Sequence, residues 1–300
     1  MALETLVKTT FSEVFRNKEI WADLSAGKLL NPDFKKELKF GDEVDVIFDG
    51  TITLSKYTGG DLSASDAEKA SSSTVKVKID QGYSVIFKLD DAKIRQIENA
   101  KTNEEKVKLA KKYAEDTKKQ FLKEVNKACC SQFVRAGIRI TGANDAAIVV
   151  STTNVHQIFA KAKADLVKGD EEGHTAWVDG EMIAVISPDM QAFMSTQNLL
   201  QYSDTMAKTY KSGYVGEFYG FHVIVDNDVA KDANGYEYPL FGREKKTIAG
   251  GVQDDFEIKS DTPVGGFDTV YWGKGVFGVK APLAYLLATA KLSVNFSIGE

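Results

Sequence analysis

Two β-type runs dominate the first third of the chain. In Asp42 to Leu54 (DEVDVIFDGTITL), Val44, Val46 and Phe48 alternate with polar residues, and Ile52 and Leu54 follow Gly50. Alternation at period two marks a strand with one apolar face. Thr74 to Leu89 (TVKVKIDQGYSVIFKL) alternates again through Val75, Val77, Ile79, Val85, Phe87 and Leu89. Between the runs, Ser55 to Ser73 is polar and rich in Gly and Ser, including the pair Gly59-Gly60, and reads as a flexible tip. The two runs are expected to pair as one long hairpin, each arm roughly 40 Å long at about 3.3 Å per residue. A two-stranded ribbon is marginally stable alone in water and exposes its edges. It needs a surface to lie on, either its own domain or a neighbour.

Helical spacing appears on both sides of the ribbon. Leu6, Phe11, Val14, Phe15, Ile20 and Trp21 recur through Met1 to Lys39, and Asn31-Pro32 predicts a helix stop there. Asp90-Asp91 predicts a helix start. From Glu104 to Phe133, apolar or small residues at Val107, Ala110, Ala114, Thr117, Phe121, Val125 and Ala128 alternate with lysines and acids. That spacing predicts one amphipathic helix of about 45 Å. Beyond Ala146 the texture is mixed: a strand over Ile148 to Ser151, a helix over Thr153 to Lys168 and a buried strand over Met182 to Ser187. Pro188 opens a helix to Asn198, and Phe221 to Asp226 reads as a strand. Strands are expected around Val270-Tyr271 and Val276 to Val279, with a closing strand at Lys291 to Ile298.

Composition narrows the function classes. The chain has 300 residues, 43% hydrophobic and 27% charged, ordinary for a globular protein with a real core. Lys and Arg total 38 against 43 Asp and Glu, a formal charge of −5, which argues against a protein whose main task is gripping phosphate backbones. Cys129 and Cys130 are adjacent and read as buried apolar thiols, since neighbours on a helix point about 100° apart. Glu4, Lys8 and Glu13 interrupt any signal-type run, and Ala281 to Leu292 is too short for a membrane span.

No catalytic constellation emerges. Gly273, Gly275 and Gly278 form a literal G-x-G-x-x-G, but Val279-Lys280-Ala281-Pro282 follows where a helix should open, so glycines at a tight turn between strands are expected. Asp226, Asp228, Asp232, Asn234 and Gly235 resemble a calcium loop, but Ala230 and Phe241 occupy ligand positions, which favours a surface turn. His156, His174 and His222 lie far apart. No metal or cofactor is expected.

The order of parts resembles the major capsid proteins of tailed bacteriophages, the Hong Kong 97-type capsid fold. The family's extended loop corresponds to FGDEVDV (Phe40 to Val46), TITLSKYTGGDLS (Thr51 to Ser63) and the return ending FKLDD (Phe87 to Asp91), and its spine helix to Glu104 to Phe133. MIAVISPDMQAFM (Met182 to Met194) and SGYVGEFYGFHVIVDNDV (Ser212 to Val229) are similar to its axial-domain segments. The resemblance implies an α+β fold with an N-terminal arm (1–39), an extended hairpin loop (40–90), a spine helix and peripheral domain (91–142), an axial domain (143–236) and a return to the peripheral domain (237–300). It implies a non-enzymatic subunit that assembles in the host bacterial cytoplasm into pentamers and hexamers of a virion shell around double-stranded DNA. Its partners are then other copies of itself, a separate scaffolding protein, portal and decoration proteins, and DNA held without sequence specificity; no membrane is involved. Contacts between subunits are expected at Phe11, Phe15, Trp21, Val46, Phe48, Tyr57, Gly59, Gly60, Val77 and Phe87. Two alternatives stay open: an encapsulin-like compartment shell, and a nucleotide-binding enzyme using Gly273 to Gly278.

Overall fold

A computed structural model of the chain describes residues 9–14, 25–35, 38–51, 71–89, 103–168, 181–201, 213–253, 257–261 and 269–294. The helices are α1 (Asn103–Cys130), α2 (Thr152–Lys168) and α3 (Pro188–Thr196), with a further helical turn at 9–14. The strands begin with β1 (Leu30–Lys35), β2 (Glu43–Thr51), β3 (Ser71–Lys78), β4 (Gln81–Leu89), β5 (Ile138–Ile140) and β6 (Ile148–Val149). They continue with β7 (Met182–Ile186), β8 (Tyr214–Phe218), β9 (Phe221–Val225), β10 (Ala230–Lys231), β11 (Glu237–Tyr238) and β12 (Leu240–Arg243). The last are β13 (Ile248–Gln253), β14 (Glu257–Asp261), β15 (Thr269–Lys280), β16 (Ala288–Ala290) and β17 (Leu292–Ser293).

Helix α1 is amphipathic because Ala114, Phe121, Leu122, Val125, Ala128 and Cys129 fall on one side and are buried. That side packs on a sheet ordered β1-β13-β15-β14, with β4 also paired along β15. Phe87 gathers three rings here: Phe11 at 5.7 Å, Tyr113 at 5.8 Å and Tyr271 at 5.2 Å, all stacked. Phe121 meets Phe277 edge-on at 5.5 Å. Such ring pairs contribute about 1 kcal/mol each beyond their burial.

A second core lies between the six-stranded sheet β5-β16-β12-β7-β9-β8 and helices α2 and α3. Phe159, fully buried on α2, meets Phe218, Phe221 and Phe241 edge-on at 4.9, 5.8 and 5.1 Å. Strand β7 is covered on both faces: Ile183 and Val185 enter the first core, Ala184 and Ile186 the second. This accounts for its unbroken apolar run, since alternate residues of a strand point to opposite sides. Ser187 caps α3 by accepting from Met190 N–H at 3.1 Å, with Pro188 at the first turn.

Several expectations change. Asn31-Pro32 does follow the end of a helical turn, Ala26–Leu29, but both residues also lie in β1, an edge strand paired in parallel with β13, where a missing N–H is tolerated. The run Thr74 to Leu89 is two strands in two sheets, because the chain leaves the ribbon at Ile79-Asp80. The separate strands expected around Val270 and Val276 are one, β15. The late strands do not all join one body: β12 and β16 sit beside β7, whereas β13, β14 and β15 lie under α1. The helix start at Asp90-Asp91 lies outside the described residues.

Candidate assembly surface

Strands β2 and β3 pair only with each other among the described residues, with Val44 opposite Val77 and Val46 opposite Val75. Their root is fixed by a turn at Lys39 to Asp42. Gly41 N–H donates to Ile79 C=O and Ile79 N–H to Asp42 C=O, both at 2.8 Å, while the Asp42 carboxylate accepts from Lys39 N–H at 2.8 Å. Gly41 has φ +95°, a conformation that glycine reaches without a side-chain clash. Side chains at the root then dock on the outer face of the five-stranded sheet, where Leu38, Val44, Val77 and Ile79 bury against Ala249 and Val276. The ribbon is therefore anchored at its base.

The docking depends on glycine. Gly251 and Gly278 are cross-strand partners on β13 and β15, directly under the root. A Cβ at Gly278 would lie 2.1 Å from the Lys78 carbonyl oxygen, and one at Gly251 2.9 Å from Val44 Cγ2. Two backbones meet here at a distance that no side chain permits.

Beyond the root, the same outer face stays uncovered by the described residues. Ile86 on β4 and Trp272 on β15 are register partners, 71% and 37% exposed. Phe40, 68% exposed, lies over Gly82, also on β4. Together with the edges of β2 and β3, these residues leave apolar side chains open on this face, interrupted by the polar pair Ser84 and Lys274; Tyr83, Val134, Val149, Val167 and Tyr219 are exposed elsewhere. No helix among the described residues is long and apolar enough to cross a membrane.

On the opposite side, α1 holds the segments that lead to the ribbon. Lys118 is fully buried and donates to the Val14 C=O at 2.8 Å, tying down the turn at 9–14; burial pushes its ammonium down to about 8. Asp226, at the end of β9, is buried and accepts from Ser25 Oγ at 2.5 Å, Ala26 N–H at 3.3 Å, Asp228 N–H at 2.8 Å and the Asn126 side-chain amide. One carboxylate thus joins residues 25–26, α1 and the six-stranded sheet. Nothing in the periodicity marks it, because a single Asp after an apolar strand reads as a turn residue.

The predicted contact residues divide into three groups. Phe11 and Val77 are fully buried by their own chain, and Phe87 is packed among three rings of the first core. This corrects their assignment to a subunit interface: Val77 faces the sheet under the ribbon root, and Phe87 belongs to β4, not to the ribbon. Val46 and Phe48 lie on β2, which is part of the ribbon. Phe15, Trp21, Tyr57, Gly59 and Gly60 lie outside the described residues. Sequence reasoning misses Phe40, Ile86 and Trp272, although Ile86 and Trp272 sit in strand-like runs that carry apolar residues.

The motif readings also resolve. Gly273, Gly275 and Gly278 all lie inside β15, so neither a phosphate loop nor the expected tight turn exists there. Asp232 closes a turn by accepting from Asn234 N–H at 2.9 Å, Tyr236 N–H at 3.0 Å and the Tyr238 hydroxyl at 3.1 Å, with Gly235 at φ +78°. Cys129 and Cys130 are buried free thiols, and burial beside Asp226 pushes Cys129 up to about 12 and Cys130 higher still.

No protein-family model matches the sequence, and no curated protein matches it. The structure is similar to the capsid of Ralstonia phage GP4, with a TM-score of 0.64 at 10% identity over 93% of this chain and 92% of that one. It is also similar to the capsid of the cyanophage P-SCSP1u, with a TM-score of 0.53 at 9% identity over 91% and 89%. A chain from Mycobacterium phage Che8 gives a TM-score of 0.52 at 19% identity over 83% and 84%. At these identities the likeness is one of fold. The described residues form a mixed α+β arrangement that matches the phage capsid fold.

Proposed function

We propose that this chain is the shell subunit of a tailed-phage head, acting by self-association and not by catalysis. The supporting observation is a capsid fold spanning nearly the whole chain, with an apolar outer face left open beside an anchored ribbon. In this reading the arm (1–39) and extended loop (40–90) reach adjacent subunits. The spine and peripheral region (91–142) is joined by 248–280, and the axial region (143–236) by 240–243 and 288–293. Subunits cluster as pentamers and hexamers, assembled in the host bacterial cytoplasm with a separate scaffolding protein. They close with a portal, and with decoration proteins, into a virion shell around double-stranded DNA. Phe15, Trp21, Val46, Phe48, Tyr57, Gly59 and Gly60 remain the proposed contacts, now with Phe40, Ile86 and Trp272. Each contact is small, and repetition under closed symmetry makes the shell stable.

The test is Ile86→Lys together with Phe40→Ser. Both side chains are exposed, so the isolated chain should keep its stability to within about 1 kcal/mol. Particle yield in electron micrographs should fall at least tenfold. Wild-type yield from the double variant contradicts the assignment of this face.

A further inference from the structure

Between β4 and α1, on the side of the sheet away from the ribbon root, lies a cleft of about 260 Å³. Its floor is apolar: Val85, Phe121 and the ring of Tyr83, which is stacked on Phe277 at 5.8 Å. Thr117 stands in one wall. At the rim the Tyr83 hydroxyl donates to Glu124 at 3.2 Å, and Glu124 is held by Lys127 at 2.7 Å. Lys123, exposed at the same rim, forms no ion pair with the described residues, although Glu124 and Asp228 attract it. The next stretch of this groove is filled. There Phe11 stacks on Phe87, the neighbour of Val85 on that face of β4, and Phe87 meets Tyr113, one helical turn before Thr117. One groove thus has a half closed by the turn at 9–14 and a half open among the described residues.

We infer that the open half is the docking site for residues 1–8 of the same chain (MALETLVK), with Leu3, Leu6 and Val7 against its apolar floor and Glu4 towards Lys123. Followed backwards, the turn at 9–14 runs from Val14, held by Lys118, to Phe11, seated on Phe87. The chain before Thr9 therefore leaves beside the cleft. Phe87 to Tyr83 is about 13 Å along β4, and the six residues from Thr9 back to Leu3 reach about 20 Å when extended. The spacing agrees: the buried positions of the turn are Thr10, Phe11 and Val14, and Leu3, Leu6 and Val7 continue their intervals of three and four. Other parts of the chain are placed elsewhere. Residues 25–27 bond to Asn126, about 180° round α1 from Thr117. The ribbon root sits on the opposite face of the sheet. The inference stands apart from the shell reading and takes residues 1–8 out of the arm that reaches neighbours there.

Thiol accessibility in the full chain tests it. Thr117→Cys puts a thiol in the cleft wall, and its rate of reaction with a maleimide reads whether the cleft is covered; Cys129 and Cys130 are buried and add only a slow background. The rate should be at least about tenfold lower in Thr117→Cys than in Thr117→Cys/Leu3→Ser/Leu6→Ser/Val7→Ser, the factor set by a closed-to-open ratio of about ten. Far-ultraviolet circular dichroism of the two variants should coincide, and the rate in Thr117→Cys should not change with protein concentration. Equal rates in the two variants overturn the inference. A rate in Thr117→Cys that falls as the chain is concentrated assigns the cleft to a second copy and overturns it as well. Particle formation does not enter the measurement, so failure here leaves the shell reading untouched.

Discussion

Single atoms decide how the ribbon meets the sheet. A methyl group at Gly278 has no room against the Lys78 carbonyl oxygen, and the obstacle is backbone, which cannot rotate aside. Gly278→Ala should therefore destabilise the chain by about 3 kcal/mol, at the upper end for overpacking, and increase proteolysis near Lys78. A loss below about 1 kcal/mol in denaturant unfolding would show that the root lies elsewhere. Asp226 is decisive in a different way. Asp226→Ala leaves the Ala26 N–H and the Asn126 amide buried, and the Ser25 hydroxyl half-buried, without their acceptor, a cost of about 3 kcal/mol. Unfolding should lose residues 25–26 and α1 together, visible in hydrogen exchange as joint loss of protection. Neither residue stands out in the sequence: a glycine read as a turn and an acid read as a loop both owe their importance to partners distant in the chain.

At the scale of elements, legibility depends on whether the signal is local. Helices α1 and α2 follow from spacing alone, because an apolar face repeated every three to four residues over several turns fits a helix and not a strand. The ribbon is legible as strands but not as pairing. Val75 to Leu89 alternates without a break in phase strong enough to show that Ile79-Asp80 passes the chain from one sheet to another. Strand β1 is hidden by its Pro, and β13 by Gly250 and Gly251, which pack against neighbouring chain instead of advertising a hydrophobic face. The turn at 9–14 depends on α1 through Lys118, which gives it a pH signature. With the buried ammonium near 8 and an unfolded lysine near 10.4, the unfolded chain holds the extra proton between those values. Stability should rise with pH across that window, as the penalty of burying the charge is relieved, and be flat below it. The difference between wild type and Lys118→Met, followed by urea unfolding from pH 7 to 10.5, isolates this group. A difference independent of pH would contradict it.

At the scale of the whole molecule, the described cores are complete and the proposed contacts lie outside them. The two large cores are filled, and β7 is covered on both faces by the described residues. The outer face of the sheet differs: it has accepted the ribbon root and leaves Ile86, Trp272 and Phe40 open. A ribbon anchored at one end with exposed apolar side chains beside it supports the proposed repeating contact between copies. The direct measurement is electron microscopy of the chain co-expressed with the proteins encoded beside its gene. Closed icosahedral particles, with five-fold and six-fold clusters of this subunit and the ribbon lying across its neighbours, are the predicted result. A chain that stays a 32.9 kDa monomer under those conditions, with no particle in the field, contradicts the account.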